Sequence, residues 1–168
     1  MQKTLIIAAA LSALSIPALA APNETPYALS AVHADFQAEL ERTARLPGEV
    51  GAAAGAAAEL MAPHNAAQER LVLPLLGWAD AVASGREAKL PDIPDRTRID
   101  AVLSQLYDRD VDLVTALVEL YAAADEAGDA ETARLAERMI WHQTSDLEVL
   151  YPAALFVETA MRSATTDD

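Results

Sequence analysis

The chain has no cysteine, which excludes a disulfide scaffold, thiolate metal sites and cysteine nucleophiles. Aromatic residues make up only 5% of it and β-branched runs are scarce, so a core built on sheets is not expected. Positive charge is also in short supply. Twelve lysines and arginines stand against 26 aspartates and glutamates, a formal charge of −14. A field of that sign repels phosphate backbones and anionic membranes, so no nucleic-acid partner is expected. The serines Ser84, Ser104 and Ser145 lie in no nucleophile elbow and have no histidine partner in a recognisable arrangement. Gly51-Ala-Ala-Ala-Gly55 lacks the strand that a phosphate loop requires and reads as small-residue helix packing.

Long apolar runs are missing after the first twenty residues. Met1-Gln2-Lys3, the apolar Leu5 to Leu14, the helix-breaking Pro17 and the Ala18-Leu19-Ala20 tripeptide together form a secretory signal. The run is short for a membrane span. Cleavage after Ala20 is expected to leave residues 21–168 as one domain, exported to the periplasm or secreted, with no span of its own. Loss of Lys3 takes the formal charge of the remaining 148 residues from −14 to −15.

What is present is helical composition, dominated by alanine, leucine, glutamate and arginine. Four helices are expected, at about 27–44, 49–84, 97–127 and 129–162, punctuated by Pro47-Gly48, Gly85 and Gly128. The stretch 86–95, with Pro91 and Pro94, is the one long connection. Short turns on either side of it imply two antiparallel hairpins, and so an all-α, up-down-up-down four-helix bundle. Ile99, Leu103, Leu106, Asp110, Leu113, Leu117, Leu120 and Ala124 alternate steps of four and three, which keeps one face of the third helix on the core. The fourth helix repeats the pattern with Leu135, Met139, His142, Asp146, Val149, Ala153 and Phe156. The first has Leu29, His33, Phe36 and Leu40, and the second Ala57, Leu60, His64, Gln68, Leu71, Leu75 and Trp78.

Each seam is interrupted by polar residues: His33, His64 with Gln68, Asp110, and His142 with Asp146. These include all three histidines of the chain. Residues four apart stack on one helix face, so each pair addresses one point in the core. Burying this much polarity is costly unless a ligand or a hydrogen-bond network satisfies it. Imidazole and carboxylate suit iron, manganese or zinc. The halves also correspond at an offset near 77 residues: His33 matches Asp110, and His64-x3-Gln68-x5-Pro74 matches His142-x3-Asp146-x5-Pro152. Pro74 and Pro152 are each expected to kink or end a helix. Trp78 and Trp141 are expected to anchor packing, Tyr107 to lie in the core, and Glu148 with Tyr151 to lie at the rim.

The segments His64-Asn-Ala-Ala-Gln-Glu-Arg-Leu-Val-Leu-Pro74 and Trp141-His142-Gln-Thr-Ser-Asp146-Leu-Glu-Val-Leu-Tyr-Pro152, with His33 in register, resemble the hemerythrin-like cation-binding family. The resemblance covers nearly all of residues 21–168. It implies a four-helix bundle with one or two non-haem iron ions held by His33, His64, Gln68, Asp110, His142 and Asp146, and O2 or NO as ligands of the metal. This chain has Gln68 at the family's second-helix glutamate, Asp110 at its third-helix histidine, and Asp146 at its fourth-helix glutamate. A neutral amide cannot bridge two metals as a carboxylate does, which favours one ion or an asymmetric pair. Two other readings compete. In the first, a metal-free interaction module has lost the site, with Asp110 paired to His33 and Asp146 to His64. In the second, a metal-dependent oxidase of the ferritin-like kind would need Glu-x-x-His pairs, which the chain lacks.

Overall fold

The computed structural model describes residues 27–91 and 94–166. The expected signal segment, residues 1–20, lies outside them. The described residues form an all-helical bundle: α1 Tyr27–Thr43, α2 Gly48–Ala83, α3 Arg96–Glu126, α4 Ala130–Ser145, a π-turn Asp146–Leu150 and α5 Tyr151–Thr166. Among them there is no strand, and no helix is long and apolar enough to cross a membrane.

The helix ends follow from local chemistry. Asp95 caps α3 by accepting from the Arg98 amide at 3.0 Å. Asp129 caps α4 with one oxygen on the Thr132 amide at 3.1 Å and the other on the Thr132 hydroxyl at 2.7 Å. Gly128 takes φ +72°, so that the Asp129 amide reaches back to the Ala124 carbonyl at 2.8 Å. Gly51 serves close approach: a Cβ there would meet the Leu46 carbonyl oxygen at 1.8 Å. Next to it Ala54, Ala57 and Ala58 are buried, as a small-residue packing stripe requires.

Two apolar clusters make the core. One holds Leu40, Ala54, Met61, Leu113, Leu117, Leu120, Leu135 and Met139. The other holds Val72, Leu75, Ile99, Leu103, Leu106, Tyr151, Ala154 and Met161. Along α2 the first cluster extends to Met61, and its second-cluster leucine and valine residues begin at Leu71. Along α3 the order reverses, with the boundary between Leu106 and Leu113. Along α4 and α5 the boundary falls between Ile140 and Leu147. His64, Gln68, Asp110, His142 and Asp146 occupy these boundaries, so the polar residues form a layer between two oily halves.

All eight expected seam positions of α3 are buried. In α2, Leu60 is turned outward and Met61 is buried in its place. The larger correction concerns the last helix. Val149 is 65% exposed and Phe156 76% exposed, whereas Tyr151, Ala154, Glu158 and Met161 are buried. The π-turn is the cause. It adds one residue to a turn, closing with the Tyr151 amide on the Asp146 carbonyl, five residues back. An added residue rotates all that follows by about 100°. The buried position after Asp146 is therefore Tyr151, and Val149 and Phe156 leave the seam.

The prolines behave differently from one another. Pro63 and Pro74 both lie within the unbroken 36-residue α2, so Pro74 does not end its helix. Pro152 is the second residue of α5, one place beyond the π-turn, where the helix register has already slipped. Trp141 is 67% exposed and is not the packing anchor expected of it.

Candidate metal centre

All six polar residues expected at the site reach the interior. His64, Gln68 and Asp110 are fully buried, His33 and Asp146 nearly so, and the His142 side chain is 16% exposed. They divide into two groups.

The first group is His33 from α1 and His142 with Asp146 from the end of α4. One ligand atom from each lies within 4.8 Å of the others. The rings of His33 and His142 meet edge-on with centroids 5.5 Å apart, and Phe36 packs against His142 at 5.4 Å. His33 Nδ1 and His142 Nε2 are buried with no hydrogen-bond partner among the described residues. The His142 Nε2 to Asp146 Oδ2 distance is 3.8 Å, beyond hydrogen-bond range. Two orphaned imidazole nitrogens beside a carboxylate could serve as donors to a metal ion. Two ligands on one ion, each at about 2.1 Å, sit no more than about 4.2 Å apart, so small side-chain shifts close the shell.

The second group is a hydrogen-bonded network around Gln68. Its Nε2 lies 2.9 Å from His64 Nε2, 2.8 Å from Asp146 Oδ2 and 2.9 Å from the Tyr151 hydroxyl. An amide nitrogen carries two protons, so three acceptors compete for them. Tyr151 donates onward to Asp110 Oδ2 at 2.7 Å. Asp110 Oδ1 is 3.4 Å from His64 Nε2. Asp110 therefore faces His64, and Asp146 faces His142 and Gln68. The pairing expected of a metal-free core, Asp110 with His33 and Asp146 with His64, is not the one formed.

Tyr151 is the residue that sequence reading misplaced. Set at the rim by a regular seam, it is fully buried, and Tyr107 packs on its ring edge-on at 5.3 Å. Tyr107 itself is 38% exposed and so is not a core residue. Pro152 was the available signal: a proline inside a helix marks the place where register can slip. Glu69, next to Gln68, stays exposed.

The electrostatics follow from burial. Desolvation, reinforced by His142, lowers the His33 pKa to about 4. Desolvation also lowers His64 to about 4, with His33, Arg109 and His142 adding to the effect. Both rings are thus neutral near pH 7, with a lone pair available for a metal or a hydrogen bond. Desolvation raises Asp110 to about 7 against the lowering effect of its Tyr151 hydrogen bond, and the Asp146 charge raises it further. Desolvation raises Asp146 as well, opposed by Gln68 and His142. Burial next to Asp110 raises the Tyr151 phenol. A divalent cation would reverse the cost of ionising Asp146.

The described residues therefore form a helical bundle with a buried His33, His142 and Asp146 group that could hold a metal ion. No family model, no curated protein and no solved structure matches this chain.

Proposed function

We propose that this chain is an exported, hemerythrin-like up-down-up-down four-helix bundle. It holds one non-haem iron ion at His33, His142 and Asp146, and it binds, buffers or senses iron or a small diatomic ligand such as O2 or NO at that ion. The observation that carries this reading is the pair of unpartnered imidazole nitrogens next to Asp146 in a buried layer. Two histidines with one carboxylate and open positions is a donor set suited to ferrous iron. Zinc or manganese would use the same atoms. His64, Gln68 and Asp110 form the other half of the layer, which the Gln68 amide fills in place of a second ion. The near-constant offset of His33 to Asp110, His64 to His142 and Gln68 to Asp146 supports a doubled hairpin in which one half kept the ligands.

The Gln68 network also supports a second reading, a metal-free interaction module, since it ties His64, Asp146, Tyr151 and Asp110 together without an ion. Metal content and the optical spectrum of the protein purified from iron-supplemented cells separate the two. The metal reading expects close to one iron per chain, lost when His33 and His142 are both replaced by alanine. Sub-stoichiometric metal that the double substitution leaves unchanged would establish the module instead. An oxidase reading would require peroxide-driven turnover by the iron-loaded protein.

A further inference from the structure

We propose a second ligand site, separate from the metal layer: a cleft on the outer side of the α2–α3 seam that binds a phosphate monoester with a short apolar body. The cleft has a volume of about 290 Å³. Arg70 of α2 and Arg98 and Arg109 of α3 line it, and no acidic residue does. That is unusual in this chain, where acids outnumber bases by more than two to one. Arg98, Val102 and Arg109 fall on one α3 face, at steps of four and seven. Leu71, Val102 and Leu106 supply an apolar wall beside the three guanidinium groups.

Among the described residues none of the three arginines is paired with a carboxylate. Arg109 also lies near enough to His64 to add to the lowering of its pKa by burial. Arg109 makes a single long contact to the Pro63 carbonyl, at 3.4 Å. Among the described residues the side chains of Arg70 and Arg98 make no hydrogen bond. Arg45, Arg134 and Arg138 also form no ion pair among the described residues. What sets Arg70, Arg98 and Arg109 apart is that they border one cleft with no acid in its lining, whereas Arg42 and Arg138 share their clefts with Glu39. Three exposed guanidinium groups bordering one cleft make a locally positive field that favours an anion there, most strongly at low ionic strength. Guanidinium forks match the oxygens of a phosphate in number and geometry, and the leucine and valine wall excludes water from an attached alkyl group. The volume is at the lower end for small-molecule sites, so it suits one such ligand and not a macromolecular surface.

The test is calorimetric titration of the purified full protein at low ionic strength with n-butyl phosphate, inorganic phosphate, butyrate and anionic phospholipid vesicles. The cleft predicts saturable binding of n-butyl phosphate at one site per chain, about ten-fold tighter than inorganic phosphate because part of the alkyl chain is buried. It predicts weaker binding of butyrate, which has fewer oxygens and less charge. The Arg70→Gln/Arg98→Gln variant should bind n-butyl phosphate at least about ten-fold more weakly. Arg45→Gln removes the same kind of charge from an exposed site that does not line the cleft, and it should leave binding unchanged. Circular dichroism of the double variant should match the wild type, since neither side chain has a partner to lose. Equal affinity in wild type and double variant would overturn the proposal, as would equal affinity for n-butyl phosphate and inorganic phosphate. So would binding to the vesicles alone, or no saturation by n-butyl phosphate at millimolar concentration.

Discussion

The Tyr151 hydroxyl both donates to Asp110 and accepts from Gln68, and all three side chains are fully buried. Tyr151→Phe leaves the ring in place and strands two buried partners, so it should cost about 1–3 kcal/mol. Tyr107→Phe, at a partly exposed ring, should cost less than about 0.5 kcal/mol. Thermal unfolding of the two variants measures the contrast, and equal small effects would mean that the network is not formed. Asp110 gives a test in pH. Its folded pKa of about 7 exceeds the usual carboxylate value, so between about 4 and 7 the folded state binds more protons than the unfolded one. Asp110 therefore subtracts stability as pH rises through that window. His33 and His64, lowered to about 4, act in the opposite sense: their contribution is complete above 6.5 and is lost as pH falls toward 4. In chelator-treated protein, Asp110→Asn should accordingly gain on wild type from pH 4.5 to pH 8 by about 1–3 kcal/mol, or several degrees in Tm. A Tm difference independent of pH would refute the buried, proton-holding Asp110. The six polar positions were legible in the sequence because each interrupts an apolar seam. Their pairing was not, because which carboxylate meets which imidazole depends on side-chain directions that spacing leaves open.

One inserted residue decides which face of the last helix is inside. The seam Leu135, Met139, His142, Asp146 is continued in regular α-helical steps by Val149, Ala153 and Phe156, yet the buried set after the π-turn is Tyr151, Ala154, Glu158 and Met161. Phe156→Gln should therefore change stability by no more than about 0.5 kcal/mol, while Met161→Ala should cost about 2–5 kcal/mol. Denaturant unfolding of both variants checks this, and a large loss from Phe156→Gln would restore the unslipped register. The α3 seam was readable at every one of its eight positions because nothing in it breaks the 3.6-residue repeat. The last helix was misread because periodicity presumes a constant turn. Pro152 advertised a defect but not its sign, since Pro63 and Pro74 sit in α2 without ending it.

At the scale of the whole molecule, three cluster boundaries between two apolar clusters leave one polar layer across the bundle. The cluster boundaries on α2, α3 and α4 converge there. A metal held by His33, His142 and Asp146 would add a tie between α1 and the end of α4 to the hydrogen bonds that join Gln68 to Asp146 and Tyr151, and Tyr151 to Asp110. A ligand that binds only the folded chain stabilises by mass action, by about 2.7 kcal/mol at a hundred times its Kd. Added Fe(II) should thus raise the Tm of chelator-treated protein by several degrees, and the His33→Ala/His142→Ala variant should show no rise. The central claim is that the layer holds a single ion at His33, His142 and Asp146. Anaerobic calorimetric titration of the chelator-treated protein with Fe(II) tests it most directly. The account predicts one saturable site per chain, retained in His64→Ala and lost in His33→Ala/His142→Ala. Absence of saturable binding, or a site that survives the double substitution, would contradict it.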